Sequence, residues 1–499
     1  MLFTTAVFAL LFLPITLAVF FAVRTRQAAA AWLLFASLVF YGYWMPMFTA
    51  VLLASICVNF AIGMRIARAV GARDTGDPNA KRLMVLGVTL NLAALAYFKY
   101  FNFFVDNLSV LLGSQLAFAH VLLPVGISFF TFTQIAFLAD AWRGKVQEYS
   151  FVHYGLFVTY FPHLIAGPVL HHGQMMPQFA DAQTYRLNGA HIAGGLAIFA
   201  IGLVKKIIFA DGISPYADAV FGPADAGFSP DLAEAWIGAV AYTLQLYFDF
   251  SGYSDMAIGL SWMFNIRLPF NFNSPYRATH ISEFWRRWHI SLSNFLRDYL
   301  YIGLGGNRHG NLRRHANLLT TMLLGGLWHG ASWSFVLWGG LHGLYLVVHH
   351  GFRLLVGAKR LDMLARHLPY RVAAWALTML VVIAAWVFFR ATTLPGALRI
   401  LEGMAGATGR GVGAGGAVHE LLWNAGLLPS TGLLLCAMLG LVAVWPFNSN
   451  RVGTAVLERC RGSHNLRIVT GAAALTAVLL LVLVNTARDS SSTFIYFNF

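Results

Sequence analysis

Charge is what this sequence has least of. Asp, Glu, Lys and Arg make up 11% of its 499 residues, less than half of the roughly 25% in a typical soluble domain. That is too little to clothe a soluble surface. With 58% hydrophobic residues and a mean hydropathy of +0.65, the chain is also far too apolar to stay disordered. Cysteine is nearly absent. Cys57, Cys436 and Cys460 lie far apart and form no CxxC or Cys/His ligand spacing, so neither a disulfide framework nor a zinc site is indicated, and no metal is expected. Acidic residues are scarce, 20 against 34 basic ones, for a net charge of +14. The basic residues cluster in short loops between apolar runs, as the positive-inside rule describes, so they report orientation and not a nucleic-acid partner. Internal repeats, low-complexity tracts and a soluble domain are missing as well.

What is present is a succession of apolar runs, at residues 2–23, 29–43, 48–64, 83–98, 121–139, 192–210, 235–264, 332–349, 373–389, 421–444 and 468–484. They predict an all-α polytopic membrane protein with roughly eleven crossings, embedded in a lipid bilayer. No basic residue precedes the first run, while Arg24 and Arg26 follow it. That order favours a retained helix with its N-terminus outside over a cleavable signal peptide. Basic loops at 24–26, 65–82, 143–145, 267–314, 353–371 and 451–467 should face the cytoplasm. The loop 211–234, with Asp211, Asp218, Asp225, Asp231 and Glu234 and no Lys or Arg, should face the other side. Two segments break this alternation. Residues 151–169 must enter and leave on one side, and Pro162, Gly167 and Pro168 suit a re-entrant element, which is tolerated where protein or water surrounds the backbone. Residues 316–328 must likewise dip and return, through Gly325, Gly326 and Gly330, which puts His329 at the turn. The glycine-rich stretch 403–416 reads as an external loop. One membrane domain, 1–499, is expected, with 240–350 as its catalytic core.

His329 stands between tryptophans and glycines in Gly325-Gly326-Leu327-Trp328-His329-Gly330-Ala331-Ser332-Trp333. An ionisable group at membrane depth is costly and points to function by default. Burial favours the neutral imidazole that a general base requires; the competing possibility is a buried histidine satisfied by a carbonyl or hydroxyl such as Ser332. Upstream, residues 281–299 predict an interfacial amphipathic helix whose apolar stripe holds Trp285 and Trp288, with Arg286, Arg287 and Arg297 off it and His289 at its edge. These tryptophans and arginines are either interfacial anchors or part of a site. Asp249, Asp255, Lys205 and Lys206 sit in or beside apolar runs and read first as a structural polar network. No GxSxG, triad order or cysteine accompanies His329, so direct attack by an acceptor hydroxyl on a bound thioester is favoured over an acyl-enzyme.

Several motifs carry a resemblance: Tyr247 to Asp255 (YFDFSGYSD), Phe270 to Tyr276 (FNFNSPY), Phe284 to Ser293 (FWRRWHISLS), Arg297 to Ile302, Leu304 to Arg308 and Leu327 to Ala331. Weaker matches are Tyr160 to His163, Ala166 to Pro168, Gly202 to Lys206 and Phe494 to Phe499. With these the sequence resembles the membrane-bound O-acyltransferase family, in its bacterial alginate O-acetylation type. Gly303 departs from the pattern, where the family commonly has proline. The resemblance implies a ring of tilted helices around a central tunnel in the bacterial inner membrane, with His329 matching the family's catalytic histidine and His289 its second important one.

The expected function is therefore transfer of an acetyl group from a cytoplasmic thioester, acetyl-coenzyme A or an acetyl acyl carrier protein, to an extracellular polysaccharide such as alginate. Periplasmic partner proteins of an acetyltransferase complex would finish the transfer, and no cofactor is expected to be tightly bound. Arg286, Arg287 and Arg308 suit donor phosphates; with Trp285, Trp288, Asn307 and Trp328 they are the candidate donor-binding residues. The alternatives are D-alanyl transfer to teichoic acid, a proton-coupled transporter or flippase, and a non-catalytic scaffold.

Overall fold

A computed structural model of the chain describes residues 1–73, 77–114, 116, 118–146, 150–407, 421–446, 448–488 and 493–495. The described residues are mostly helical and contain no strand. Five helices are long and apolar enough to cross a membrane: Pro46–Gly71, Pro78–Leu112, Gly189–Asp225, Leu368–Arg390 and His464–Thr486. Val7–Ala22, Ile127–Trp142 and Pro429–Ala443 are shorter apolar helices. The other expected runs fall on Arg26–Gly42, Leu232–Met263 and Trp333–Val356. Leu232–Met263 carries Thr243, Asp249, Ser251, Ser254 and Asp255, and all five are buried. Boundaries move: the run predicted from 121 becomes helical only at Ile127, after Gly126 in the left-handed region, and the run 421–444 is split into Leu421–Asn424 and Pro429–Ala443.

The chain divides into two compact units. One holds residues 1–203, 253–270 and the stretch from 449, and the other holds 204–252 and 271–448. In the first, the amides of Asn59 and Asn91 exchange hydrogen bonds of 2.6 and 3.3 Å between the Pro46–Arg73 and Pro78–Leu95 helices, a polar clasp suited to an apolar solvent. The predicted break near 151–169 is seen here. The Phe151–Thr159 helix stops at Tyr160, and residues 160–170 run through the interior without regular helix. Asp255 accepts from Ser449 Oγ at 3.0 Å.

The second unit differs from expectation at three places. The acidic segment 211–234 is helix from Asp211 to Asp225 despite Pro215 and Pro223. Its carboxylates have protein partners: Asp211 pairs with Lys206 at 2.8 Å, Asp218 with Arg390 at 2.7 Å, and Asp225 accepts from the backbone and hydroxyls of Thr392 and Thr393. Gly325 and Gly326 do not turn the chain; both lie inside the continuous Gly310–His329 helix, which ends at His329, with Gly330 extended before the next helix begins at Trp333. A Cβ at Gly326 would strike the Phe335 carbonyl oxygen and the Gly339 Cα, and one at Gly339 would strike the Met322 carbonyl oxygen. The two glycines thus let the Gly310–His329 and Trp333–Val356 backbones touch, the small-residue packing common between helices in lipid.

The third difference is the interfacial helix predicted over 281–299. It is broken into Ile281–Arg287 and Ile290–Phe295, continued by a π-helical turn over Leu296–Tyr301. Trp288 is extended and His289 is left-handed, with φ 43°. Periodicity alone carried the helix through this point. The break comes from tertiary hydrogen bonds to Asn271, described below.

Candidate active site

The segment that follows Phe270 runs alongside the broken helix and bonds to it through its backbone. Asn273 N donates to the Arg287 carbonyl at 2.9 Å and Ile290 N to the Asn271 carbonyl at 3.0 Å. Between these two bonds the chain at 288–289 cannot remain helical. The Asn271 side chain completes the arrangement: its Oδ1 accepts from Ser291 N at 3.2 Å and Ser291 Oγ at 2.9 Å, and lies 3.2 Å from His289 Nδ1. A backbone N–H is always a donor, so the atom it meets is the amide oxygen. His289 Nδ1 must then carry the hydrogen, and in the neutral ring Nε2 carries the lone pair.

His289 has no solvent exposure. It lies between the short helices and outside the membrane-spanning ones. Burial pushes its pKa down to about 3, so the ring is neutral at physiological pH. Phe250 meets it edge-on at 4.7 Å between ring centroids. On another side lies the Trp328 indole at 6.2 Å, and the same indole is 4.9 Å from the ring of His329. The two histidines named from sequence therefore flank one tryptophan, also named from sequence.

His329, 3% exposed, is the last residue of its helix. Its ring is enclosed edge-on by Trp328, by Trp338 at 5.0 Å and by Phe389 at 5.2 Å. Gly330 has no room for a side chain, since a Cβ there would enter the Phe335 ring. The extended residues 330–332 thus fold tightly back, and Trp338 on the returning helix reaches His329. Aromatic walls of this kind exclude water and raise the strength of any hydrogen bond or charge inside them.

The other candidates divide. Trp288 is buried in an aromatic cluster with Phe272, Tyr276, Phe284 and Trp386. Trp285 donates from its indole to His342 Nδ1 at 3.3 Å. The Arg287 guanidinium is held by Glu283 at 2.8 Å and by the Asn273 carbonyl at 3.0 Å, which commits it to holding the local fold. Arg286, Asn307 and Arg308 are exposed. Lys206 Nζ, buried, lies 2.7 Å from Asp249 and 2.8 Å from Asp211, and Lys205 Nζ sits over the Tyr247 ring at 5.9 Å. Sequence reasoning did not single out Asn271, Phe250, Trp338, Phe389 or His342. Asn271 had left a signal, an amide between two phenylalanines in the FNFNSPY motif.

The sequence profile described as "MBOAT, membrane-bound O-acyltransferase family" matches residues 79–389, which takes in both histidines and every ring around them. The chain belongs to the membrane-bound O-acyltransferase family. It is 42% identical to a peptidoglycan O-acetyltransferase of Helicobacter pylori, over 82% of this chain and 80% of that protein. It is 44% identical to a probable alginate O-acetylase of Azotobacter vinelandii, over 81% of this chain and 78% of that one. A teichoic acid D-alanyltransferase of Bacillus subtilis is 26% identical over 46% of this chain and 59% of its own length. This membrane-bound O-acyltransferase is thus a membrane enzyme that transfers acyl groups, and its most similar relatives named here move acetyl.

Proposed function

We propose that this enzyme takes an acetyl group from a cytoplasmic thioester, acetyl-coenzyme A or an acetylated carrier protein, and passes it across the bacterial inner membrane to hydroxyls of an extracellular polysaccharide. The observation that carries this reading is the pair of buried imidazoles on either side of Trp328, inside the segment shared with two O-acetylating relatives. His329 serves as general base. An acceptor hydroxyl gives its proton to the imidazole while its oxygen bonds to the thioester carbon and the carbonyl π pair moves onto oxygen. Collapse of this intermediate breaks the C–S bond, and the departing thiolate takes the proton from the imidazolium. His289, fixed by Asn271 with its lone pair on Nε2, orients or relays beside it. The exposed Arg286 and Arg308, with Asn307, suit the donor's phosphates at the cytoplasmic face.

The N-terminus outside, periplasmic partners that complete the transfer, and an alginate-like acceptor belong to the same reading. D-alanyl transfer to teichoic acid is the lesser alternative, because likeness to that relative spans under half of the chain. The deciding experiment replaces His329 by alanine in the producing cell and measures ester-linked acetyl on exported polymer at matched protein level. Loss of acetyl to the level of a strain lacking the protein is expected. Acetylation at the wild-type rate would leave a transporter or a scaffold as the better description.

A further inference from the structure

A third imidazole lies one indole beyond the pair. His342, on the Trp333–Val356 helix, has no solvent exposure, and the Trp338 ring that meets His329 at 5.0 Å meets His342 at 4.9 Å. Phe284 stacks on it at 6.1 Å with ring planes 10° apart, and Trp285 and Trp386 close two further sides.

Its tautomer follows from its partner. An indole N–H only donates, so His342 Nδ1, which receives Trp285 Nε1–H at 3.3 Å, holds the lone pair and Nε2 holds the hydrogen. That Nε2–H, and the indole N–H of Trp338 one turn earlier, are buried and meet no acceptor among the described residues. A buried donor left unmet costs about 1–3 kcal/mol. Phenylalanine at 342 would remove this unmet donor but also the acceptor of Trp285 Nε1–H; the Trp285 bond accounts for Nδ1 and leaves the Nε2–H unaccounted for. Two unmet donors beside the catalytic candidate call for an acceptor oxygen that arrives from outside the protein.

We propose that His342 Nε2–H donates to the carbonyl oxygen of the acyl thioester and holds its charge when the acceptor hydroxyl adds. The proposal rests on the acyl-transfer reading above. The proton count is unchanged by it: Nε2 keeps its hydrogen throughout, while the hydroxyl proton goes to His329 and then to the leaving thiolate. Reacting atoms need about 3–3.5 Å between them, and His329 and His342 lie 5.0 and 4.9 Å, ring centroid to ring centroid, from the one Trp338 ring.

Two amides separate this role from a structural one. Gln at 342 places an N–H near the position of Nε2 but gives up the acceptor for Trp285, whereas Asn keeps an acceptor near Nδ1 and gives up the outer donor. Membranes of the producing cell are supplied with labelled acetyl-coenzyme A and, in parallel, labelled S-acetylpantetheine, the thioester arm common to both donor types. Label on polymer is then counted at matched protein level. His342→Asn and His342→Phe should lower the maximal rate about 10²–10³-fold, the loss typical of a removed oxyanion donor, with the donor concentration for half-maximal rate changed less than threefold. His342→Gln should stay within tenfold of wild type. Thermal unfolding in detergent, with His342→Asn, which keeps an acceptor for Trp285, as stable as wild type, separates this loss from misfolding. Equal activity of the Phe variant, or an Asn variant more active than Gln, overturns the proposal. His329→Ala run alongside tells the two claims apart: if it still transfers acetyl, the acyl-transfer reading fails first. If it is inactive while His342→Phe is fully active, only the role of His342 falls.

Discussion

Asn271 Oδ1 and His289 Nδ1 lie 3.2 Å apart, and the same oxygen receives the backbone N–H of Ser291 two residues beyond the histidine. One amide therefore fixes the tautomer of the imidazole and its direction, beside the backbone bonds of 271 and 273 that break the helix. The tautomer of the buried His289 is set by a side chain 18 residues upstream.

Removing that amide should uncouple these effects. Asn271→Ala leaves the Ser291 N–H without its acceptor, at about 1–3 kcal/mol, and frees the imidazole to rotate. Polymer acetylation is expected to fall at least tenfold, with a lower midpoint of thermal unfolding in detergent. Asn271→Asp keeps an acceptor oxygen at the same place and should retain more acetyl transfer than Asn271→Ala. The reverse order would show that the amide does not position His289.

The glycine crossing makes a second test with its control one residue away. In Gly326→Ala the new methyl meets the Phe335 carbonyl oxygen and the Gly339 Cα, whereas in Gly325→Ala it meets only the Leu296 side chain, at 3.3 Å. Overpacking of this kind costs about 1–3 kcal/mol, and spreading the two helices moves Trp338 away from His329. Gly326→Ala should lower both stability and acetylation, while Gly325→Ala should stay near wild type in both. Matching behaviour of the two variants in unfolding and acetyl assays would contradict the close crossing.

His289 also gives the protein a pH dependence of known sign. Its folded-state pKa, lowered to about 3 by burial, is below the roughly 6.5 of an unfolded histidine. Between these values the unfolded chain binds the extra proton, so stability is full above about pH 6.5 and declines as pH falls toward 3. One such proton is worth about 1.4 kcal/mol per pH unit within that window. His289→Asn, which suits the left-handed backbone at this position, should lose less stability than wild type between pH 7 and pH 5 in denaturant unfolding from micelles. Parallel pH profiles of the two proteins would refute the assignment.

The helical class, the lipid environment and the two histidines were all legible in the sequence, for a common reason: each is a departure in composition that short-range rules can detect. Sparse charge and long apolar runs reveal the solvent, and an imidazole among glycines and tryptophans is conspicuous in such a background. The acidic segment 211–234 was read as a loop, whereas Asp211 to Asp225 is helix, with Asp218 and Asp225 meeting Arg390, Thr392 and Thr393 far along the chain. The helix over 281–299 misled because a 3.6-residue period continues through Trp288 and His289 while hydrogen bonds from 271–273 break it.

By itself, then, the sequence determined the helical class and the solvent in which it sits, and singled out His289 and His329 as candidates, since residue type and local hydropathy are properties of the chain. Which nitrogen of the His289 and His342 rings bears the hydrogen, and that His289, His329 and His342 are linked through the indoles of Trp328 and Trp338, were decided only by the tertiary structure. The two bonds that set these tautomers join residues 18 and 57 positions apart, Asn271 to His289 and Trp285 to His342, and no local pattern encodes them.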